Sequence, residues 1–241
     1  AFRNIFMPAG DYILGTRIHK TYSVLEKTQW LDQKDLYKLQ NNRIAKLMKD
    51  SYSHSPFYKN QFRENKITKF DLKNLKKLPI LEKDMIRANS SAIVSNKYPV
   101  SSYIAAGSSG STGEPLEYYQ DYRGKSWRWG SLLRGWTYTG YELGDRTANL
   151  WGAPIVIARH SNNYRKVMNF VSQNLFLPGN EISKEILLDY IDKLKIFKPK
   201  LLYGYASSLY EMAKVIDEEK IEIDIGSIVS SGETLYQDRK N

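Results

Sequence analysis

Through the first third of the chain, apolar residues recur at helical spacing. In QKDLYKLQNNRIAKLMK, residues 33–49, Leu36, Leu39, Ile44, Leu47 and Met48 fall near a 3.6-residue period with charged residues between them, the pattern of an amphipathic helix. Ser55-Pro56 interrupts the period, Phe57 and Tyr58 restart it, and Leu78-Pro79-Ile80-Leu81 places a turn before a further helical stretch from Glu82 to Arg87. Residues 1–97 therefore read as a mainly helical region.

From Tyr98 the texture changes. Tyr103-Ile104-Ala105-Ala106 reads as a short strand, a glycine-rich stretch follows, and Leu116-Glu117-Tyr118-Tyr119 reads as a second strand. Asp121 to Tyr141 is expected to be helical, with Trp127, Trp129, Leu132, Leu133 and Trp136 assigned to the core. Leu150 to Ala158 reads as buried strand material around a turn, before a helix near Tyr164 to Leu175. Ile186 to Phe197 is helical, Leu201-Leu202-Tyr203 is a strand, Ser208-x-x-Glu211 opens a helix as a capping box, and Ile225 to Val229 is a last apolar strand. Alternating strands and helices over residues 98–241 predict a layered α/β part that carries its sites at strand ends.

Composition narrows the function classes. The 241 residues contain no cysteine, which excludes disulfides, thiolate metal sites and a cysteine nucleophile, and fits a reducing, cytoplasmic setting. The start of the chain breaks its apolar residues with Arg3, Asn4, Asp11 and Arg17, so it has neither a signal-peptide core nor a membrane span. Asn89-Ser90-Ser91 matches a glycosylation sequon by chance. The net charge of +10 sits largely in residues 17–87, where 17 Lys/Arg face 8 Asp/Glu, a surplus of +9. Without a zinc-finger spacing, an aromatic RNA-binding motif or a basic zipper, this surplus describes solvated helices rather than a nucleic-acid interface. It favours phosphorylated or acidic small molecules.

The most informative stretch is Ser108-Ser109-Gly110-Ser111-Thr112-Gly113-Glu114-Pro115. Glycines let successive N–H groups turn toward one anion, and the hydroxyls add donors, so the stretch suits phosphate oxygens; a Ser/Gly linker is the plain alternative. It is not a Walker loop, because no lysine follows Gly113, and not a dinucleotide fingerprint, because Gly107, Gly110 and Gly113 are three apart and lead into a strand. His160 reads as a surface imidazole after an apolar strand, and His19 and His54 lack partner acids at metal spacing, so no metal site is expected.

Taken together, these segments resemble the adenylate-forming enzymes, in their phenylacetate–coenzyme A ligase and CapK-like branch. SSGSTGEP resembles the phosphate-loop signature, Ser55-Pro56-Phe57-Tyr58 an "SPFY" element, and Asp71-Leu72 with Leu78-Pro79-Ile80-Leu81 a "DL…LPIL" element. Gly204-Tyr205-Ala206-Ser207 resembles the "GYPS" turn, and Ser230-Ser231-Gly232-Glu233-Thr234-Leu235 the adenine-side motif. The resemblance covers essentially the whole chain, which corresponds to the N-terminal half or so of a family member. Family members continue into a YGxxE-type segment, an Asp holding the ribose hydroxyls and a mobile domain with a catalytic lysine, none of which this sequence carries. A fragment of a longer enzyme, or a truncated gene product, is the expectation.

What the resemblance implies is an ATP-dependent carboxylic acid–coenzyme A ligase that passes through an acyl-adenylate and works with Mg²⁺. It places Ser109, Gly110, Ser111, Thr112 and Gly113 on the β- and γ-phosphates, and Ser231, Gly232 and Glu233 on the adenine side, with Glu233 a possible aid to Mg²⁺. Tyr205, Ala206 and Ser207 line the acyl pocket, with Trp151 and Tyr138 as further wall residues. The chain alone is expected to adenylate poorly. The alternative is a non-catalytic module that binds nucleotide or acyl-adenylate and serves polysaccharide biosynthesis.

Overall fold

The computed structural model describes residues 5–107, 116–152, 173–179 and 182–237. The chain divides into two compact units, Met7–Ser131 and Leu132–Asn241, the second including Ala1–Phe6.

The first unit is built on helices α1 (Met7–Leu14), α2 (Ile18–Thr28), α3 (Gln33–His54), α4 (Pro56–Glu64), α5 (Leu72–Leu75), α6 (Lys83–Ala88) and α7 (Ser90–Ile93). The starts of α2, α3, α4 and α5 are marked by side chains that satisfy the free N–H groups of a first turn. Asp11 accepts from the N–H groups of Ile18 and His19, both at 2.8 Å, Asp32 accepts from Asp35 N–H at 2.7 Å, and Asp71 from Asn74 N–H at 2.8 Å. Ser55 ends α3 and opens α4, with Pro56 at the first helical position, where a missing N–H is harmless. Met48, Phe62 and Ile67 form the buried centre, ringed by Tyr52, Tyr58 and Phe70.

The strands β1 (Ile104–Gly107) and β2 (Glu117–Gln120) pair antiparallel, from Ile104↔Gln120 to Gly107↔Glu117. The strand–loop–strand reading thus holds for the flanks of the glycine-rich stretch, while residues 108–115 themselves lie outside the described residues. Helix α8 (Tyr122–Trp136) follows. Its first turns belong with α2: Ser126 Oγ accepts from Arg17 N–H at 2.9 Å, and a Cβ on Gly130 would stand 3.1 Å from the backbone nitrogen of Tyr22. These contacts carry the first unit past the change of texture near residue 98 to Ser131. Trp136 is buried, but Trp127 and Trp129 are exposed, contrary to the core assignment. Arg43 lies 4.4 Å over the Trp127 ring instead.

The second unit holds a parallel sheet in the order β4 (Asn174–Pro178), β3 (Thr147–Trp151), β5 (Leu201–Gly204), β6 (Ile228–Ser230). Register runs Thr147↔Asn174 and Thr147↔Leu201, then Leu202↔Ile228. Leu175 belongs to β4 rather than to a helix. Alternation sends Ala148, Leu150, Leu177 and Leu202 to one face, where α9 (Lys184–Phe197) and α10 (Ala206–Glu218) cover them with Leu187, Ile191, Leu194, Met212 and Val215. The opposite face carries Leu201, Tyr203 and Val229 against Trp136 and Tyr141. Both faces are covered, so Leu150, Leu177, Leu201 and Leu202 are buried, and the polar Asn149 donates to Asn174 Oδ1 at 2.7 Å within the sheet. This is the α/β layering expected from the sequence.

Candidate functional site

In an open parallel sheet, ligands bind beyond the carboxyl ends of the strands, at the point where strand order reverses. Chain order here leads from β3 to β4 on one side and then to β5 on the other, so the reversal lies between β3 and β5. The residues at that edge are Trp151, which ends β3, and Tyr205, which follows β5.

Their side chains meet. Trp151 and Tyr205 share one face because Asn149↔Tyr203 and Leu150↔Gly204 are in register, and their rings stack with centroids 4.0 Å apart and planes 22° from parallel. Trp151 also stacks on Tyr203 at 4.9 Å and 8°, and Tyr203 leads on to Trp136 at 5.4 Å. Burial, then the charge of Glu233 and the neighbouring Tyr203, push the Tyr205 phenol above its ordinary pKa, so it remains a neutral ring and a hydroxyl donor at neutral pH.

The turn after β6 closes on this pair. Ser231 N–H donates to Gly204 O at 3.0 Å, extending the β5–β6 pairing. Gly232 has φ of 82°, and a Cβ there would stand 2.8 Å from Tyr205 Cε1 and 3.1 Å from Trp151 Cη2. Only glycine meets both the left-handed backbone and that proximity. The flat group that Gly232 admits close to its backbone is the chain's own Tyr205 ring. Glu233 Oε2 then accepts from Ser207 N–H at 2.9 Å, at the second residue of α10.

This contact corrects the reading of Ser208 as a cap. α10 begins at Ala206, its N-cap Tyr205 makes no side-chain cap bond, and Ser208 is buried. The carboxylate at this helix start comes instead from 26 residues downstream, where it also meets the positive end of the helix dipole. Local sequence pattern has no signal for such a cap, although aromatic residues ending adjacent parallel strands do mark the Trp151–Tyr205 stack.

The structure thus brings Tyr205, Ala206 and Ser207 together with Ser231, Gly232 and Glu233. Ala206 is buried at 1 % exposure and turns no open surface toward the site. Tyr138 is apart from the stack; its hydroxyl accepts from Arg134 Nη1 at 2.8 Å. Ser109, Gly110, Ser111, Thr112, Gly113 and His160 lie outside the described residues. His19 sits on α2 and His54 ends α3. Among the described residues, no three His, Asp or Glu side chains gather so as to hold a metal ion, and no helix is long and apolar enough to cross a membrane.

This architecture occurs in solved acyl–coenzyme A ligases of the adenylate-forming class. The fold matches 2-hydroxyisobutyryl-CoA ligase in complex with 2-HIB-AMP and CoA, with a TM-score of 0.59 and 20% identity over 84% of this chain and 44% of that one. An open conformation of the same ligase matches at 0.58, with 19% identity over 82% and 44%. In sequence the chain is 28% identical to Protein CapK of Staphylococcus aureus across 209 residues, 83% of this chain and 45% of that protein. No family model matches the chain. The likenesses bear out the resemblance read from the motifs: the chain is similar in sequence to CapK and in fold to solved CoA ligases. It spans less than half the length of these relatives.

Proposed function

We propose that the chain is the nucleotide-side portion of an ATP-dependent carboxylic acid–coenzyme A ligase. The observation that carries this reading is the junction of the Gly204–Ser207 and Ser230–Glu233 stretches at the sheet's reversal point, the place where such folds take up nucleotides.

In the proposed reaction a carboxylate oxygen attacks the α-phosphorus of ATP. A bond forms between carboxylate and phosphorus, the bond to the β-phosphate breaks, and pyrophosphate leaves. The thiolate of coenzyme A then attacks the acyl carbonyl and displaces AMP. This chemistry asks for fixed donors and exclusion of water more than for a covalent side chain. Ser109, Gly110, Ser111, Thr112 and Gly113 take the β- and γ-phosphates, between strand ends held together by the Gly107↔Glu117 pairing. Ser231, Gly232 and Glu233 take the adenine side, and Tyr205 with Ser207 borders the acyl group.

The aromatic pair suits an apolar or aromatic acyl group, and the close-packed backbone of Ser231 and Gly232 suits a planar base. Magnesium supplies charge neutralisation to the triphosphate. Glu233, hydrogen-bonded to Ser207, serves the helix start first.

Titration calorimetry of this chain with AMP and with MgATP tests the reading, together with exchange of labelled pyrophosphate into ATP over a panel of aryl and acyl acids. Saturable AMP binding with weak exchange is expected. Absence of AMP and ATP binding overturns it, and AMP binding with no exchange by a chain extended to the length of its relatives favours a non-catalytic nucleotide module.

A further inference from the structure

Two stretches that sequence reasoning assigned to different halves of the site, Tyr205–Ser207 and Ser231–Glu233, are one mechanical piece. Three contacts join them. Ser231 N–H donates to Gly204 O, the Gly232 backbone abuts the Tyr205 ring edge, and Glu233 Oε2 accepts from Ser207 N–H. Tyr205 lies at the centre: it is the residue before α10, its ring stacks on Trp151, and its backbone direction is set by how the first turn of α10 is held. That first turn has no cap from Tyr205, so the Glu233 contact is the side-chain acceptor seen at its start.

We infer that Glu233 is a positioning residue: by accepting the Ser207 N–H it fixes the start of α10 and holds the Tyr205–Trp151 pair against Gly232 as a preformed aromatic surface. This rests on the reading of the strand ends as the nucleotide side of the site. The role requires an acceptor oxygen at the reach of a glutamate side chain, and it does not require a negative charge on a metal. An amide oxygen at the same reach accepts the same bond, whereas an aspartate keeps the charge and falls one methylene short. Charge-assisted hydrogen bonds of this kind are worth more than neutral ones, so a fraction of the effect is lost even with the amide.

The test compares E233Q, E233D and E233A with the unsubstituted chain, using AMP as the probe. Near-UV circular dichroism reads the Trp151–Tyr205 stack directly when the spectrum of W151F is subtracted, and far-UV spectra and thermal melting report folding. We expect E233A to lose the stack signature and to bind AMP about tenfold more weakly, the size of one charge-assisted hydrogen bond. E233D should follow E233A, and E233Q should retain the signature with most of the affinity. The inference is overturned if E233A keeps the signature, or if E233D behaves as the unsubstituted chain while E233Q fails, because charge rather than reach would then be the requirement. If E233A does not fold, the contrast between E233D and E233Q decides. Should the unsubstituted chain bind no AMP, the nucleotide reading falls, and the stack signature across the same variants still decides the role of Glu233.

Discussion

Gly204 and Leu150 stand closer than any side chain on Gly204 would permit: a Cβ there would lie 2.8 Å from the Leu150 carbonyl oxygen and 3.1 Å from Leu209 Cγ. The carbonyl belongs to a parallel ladder buried on both faces, so it has little freedom to yield. The same Gly204 offers its own carbonyl to Ser231 N–H, and the tight approach of β3 and β5 thereby sets the distance between Trp151 and Tyr205.

Gly204→Ala is accordingly expected to destabilise the chain by about 1–3 kcal/mol, the range for forcing an extra methyl into a packed core. AMP affinity should fall with it, because the strand ends must part. Gly135 gives the contrast. It lies within α8 with nothing within 4 Å of a built Cβ, so Gly135→Ala should raise stability by about 0.5–1 kcal/mol through helix propensity alone. Urea unfolding of both variants measures the pair, and a neutral Gly204→Ala would show that the edge adapts.

Gly232→Ala meets two obstacles at once, a φ of 82° and an aromatic edge 2.8 Å from the new methyl. Left-handed backbone disfavours alanine by roughly 1 kcal/mol, and the Tyr205 ring must also move off Trp151. The expected result is a modest drop in melting temperature with a large change in the near-UV spectrum. Unchanged near-UV ellipticity would mean the ring absorbs the methyl without leaving the stack.

Where local chemistry decides structure, the sequence was legible. Ser55-Pro56 places the break between α3 and α4, and the two short runs around SSGSTGEP pair as a hairpin. The alternation of strands and helices also yields the layered sheet. Errors arose where partners are distant. Ser208-x-x-Glu211 has the spacing of a capping box, yet Glu233 supplies the acceptor and Ser208 is buried. Leu175 sits in a short apolar run whose length suits a strand as well as a helix end, and pairing with Ala148 makes it a strand. Trp127 and Trp129 read as core from their type alone, whereas the buried indole of α8 is Trp136, which packs edge-on against Tyr141 at 5.4 Å. Of the candidate site, the two motif turns could be named from sequence, but their mutual contact could not.

Ser55 is a sharper probe of the helical unit. Its hydroxyl accepts from Tyr58 N–H at 3.4 Å and lies 3.1 and 3.0 Å from the carbonyl oxygens of Ala92 and Ile93, to which it donates. It is 3 % exposed, so alanine leaves both a helix start and buried carbonyls short of a partner. A loss of about 1–2 kcal/mol is expected. Ser55→Thr should restore part of it if the cap dominates, and equal losses for both variants would point to crowding instead.

The alkaline limb of stability should belong in part to Tyr141. This residue is 6 % exposed, and burial pushes its phenol up from 10.0 to about 12, with a backbone hydrogen bond to Gly144 opposing and Asp145 assisting. In the unfolded chain the phenol ionises near pH 10, while in the folded chain it keeps its proton to about pH 12. Between those values the folded state holds more protons than the unfolded state, so stability falls as pH rises, by roughly 1.4 kcal/mol per pH unit at most for this one group. The contribution is complete below pH 10 and lost by about pH 12. Tyr141→Phe removes the titration. It should lower stability at neutral pH by the loss of the Gly144 contact, yet flatten the decline above pH 10, so that the two curves converge. Parallel curves for the variant and the unsubstituted chain across this window would show that Tyr141 does not carry the alkaline loss.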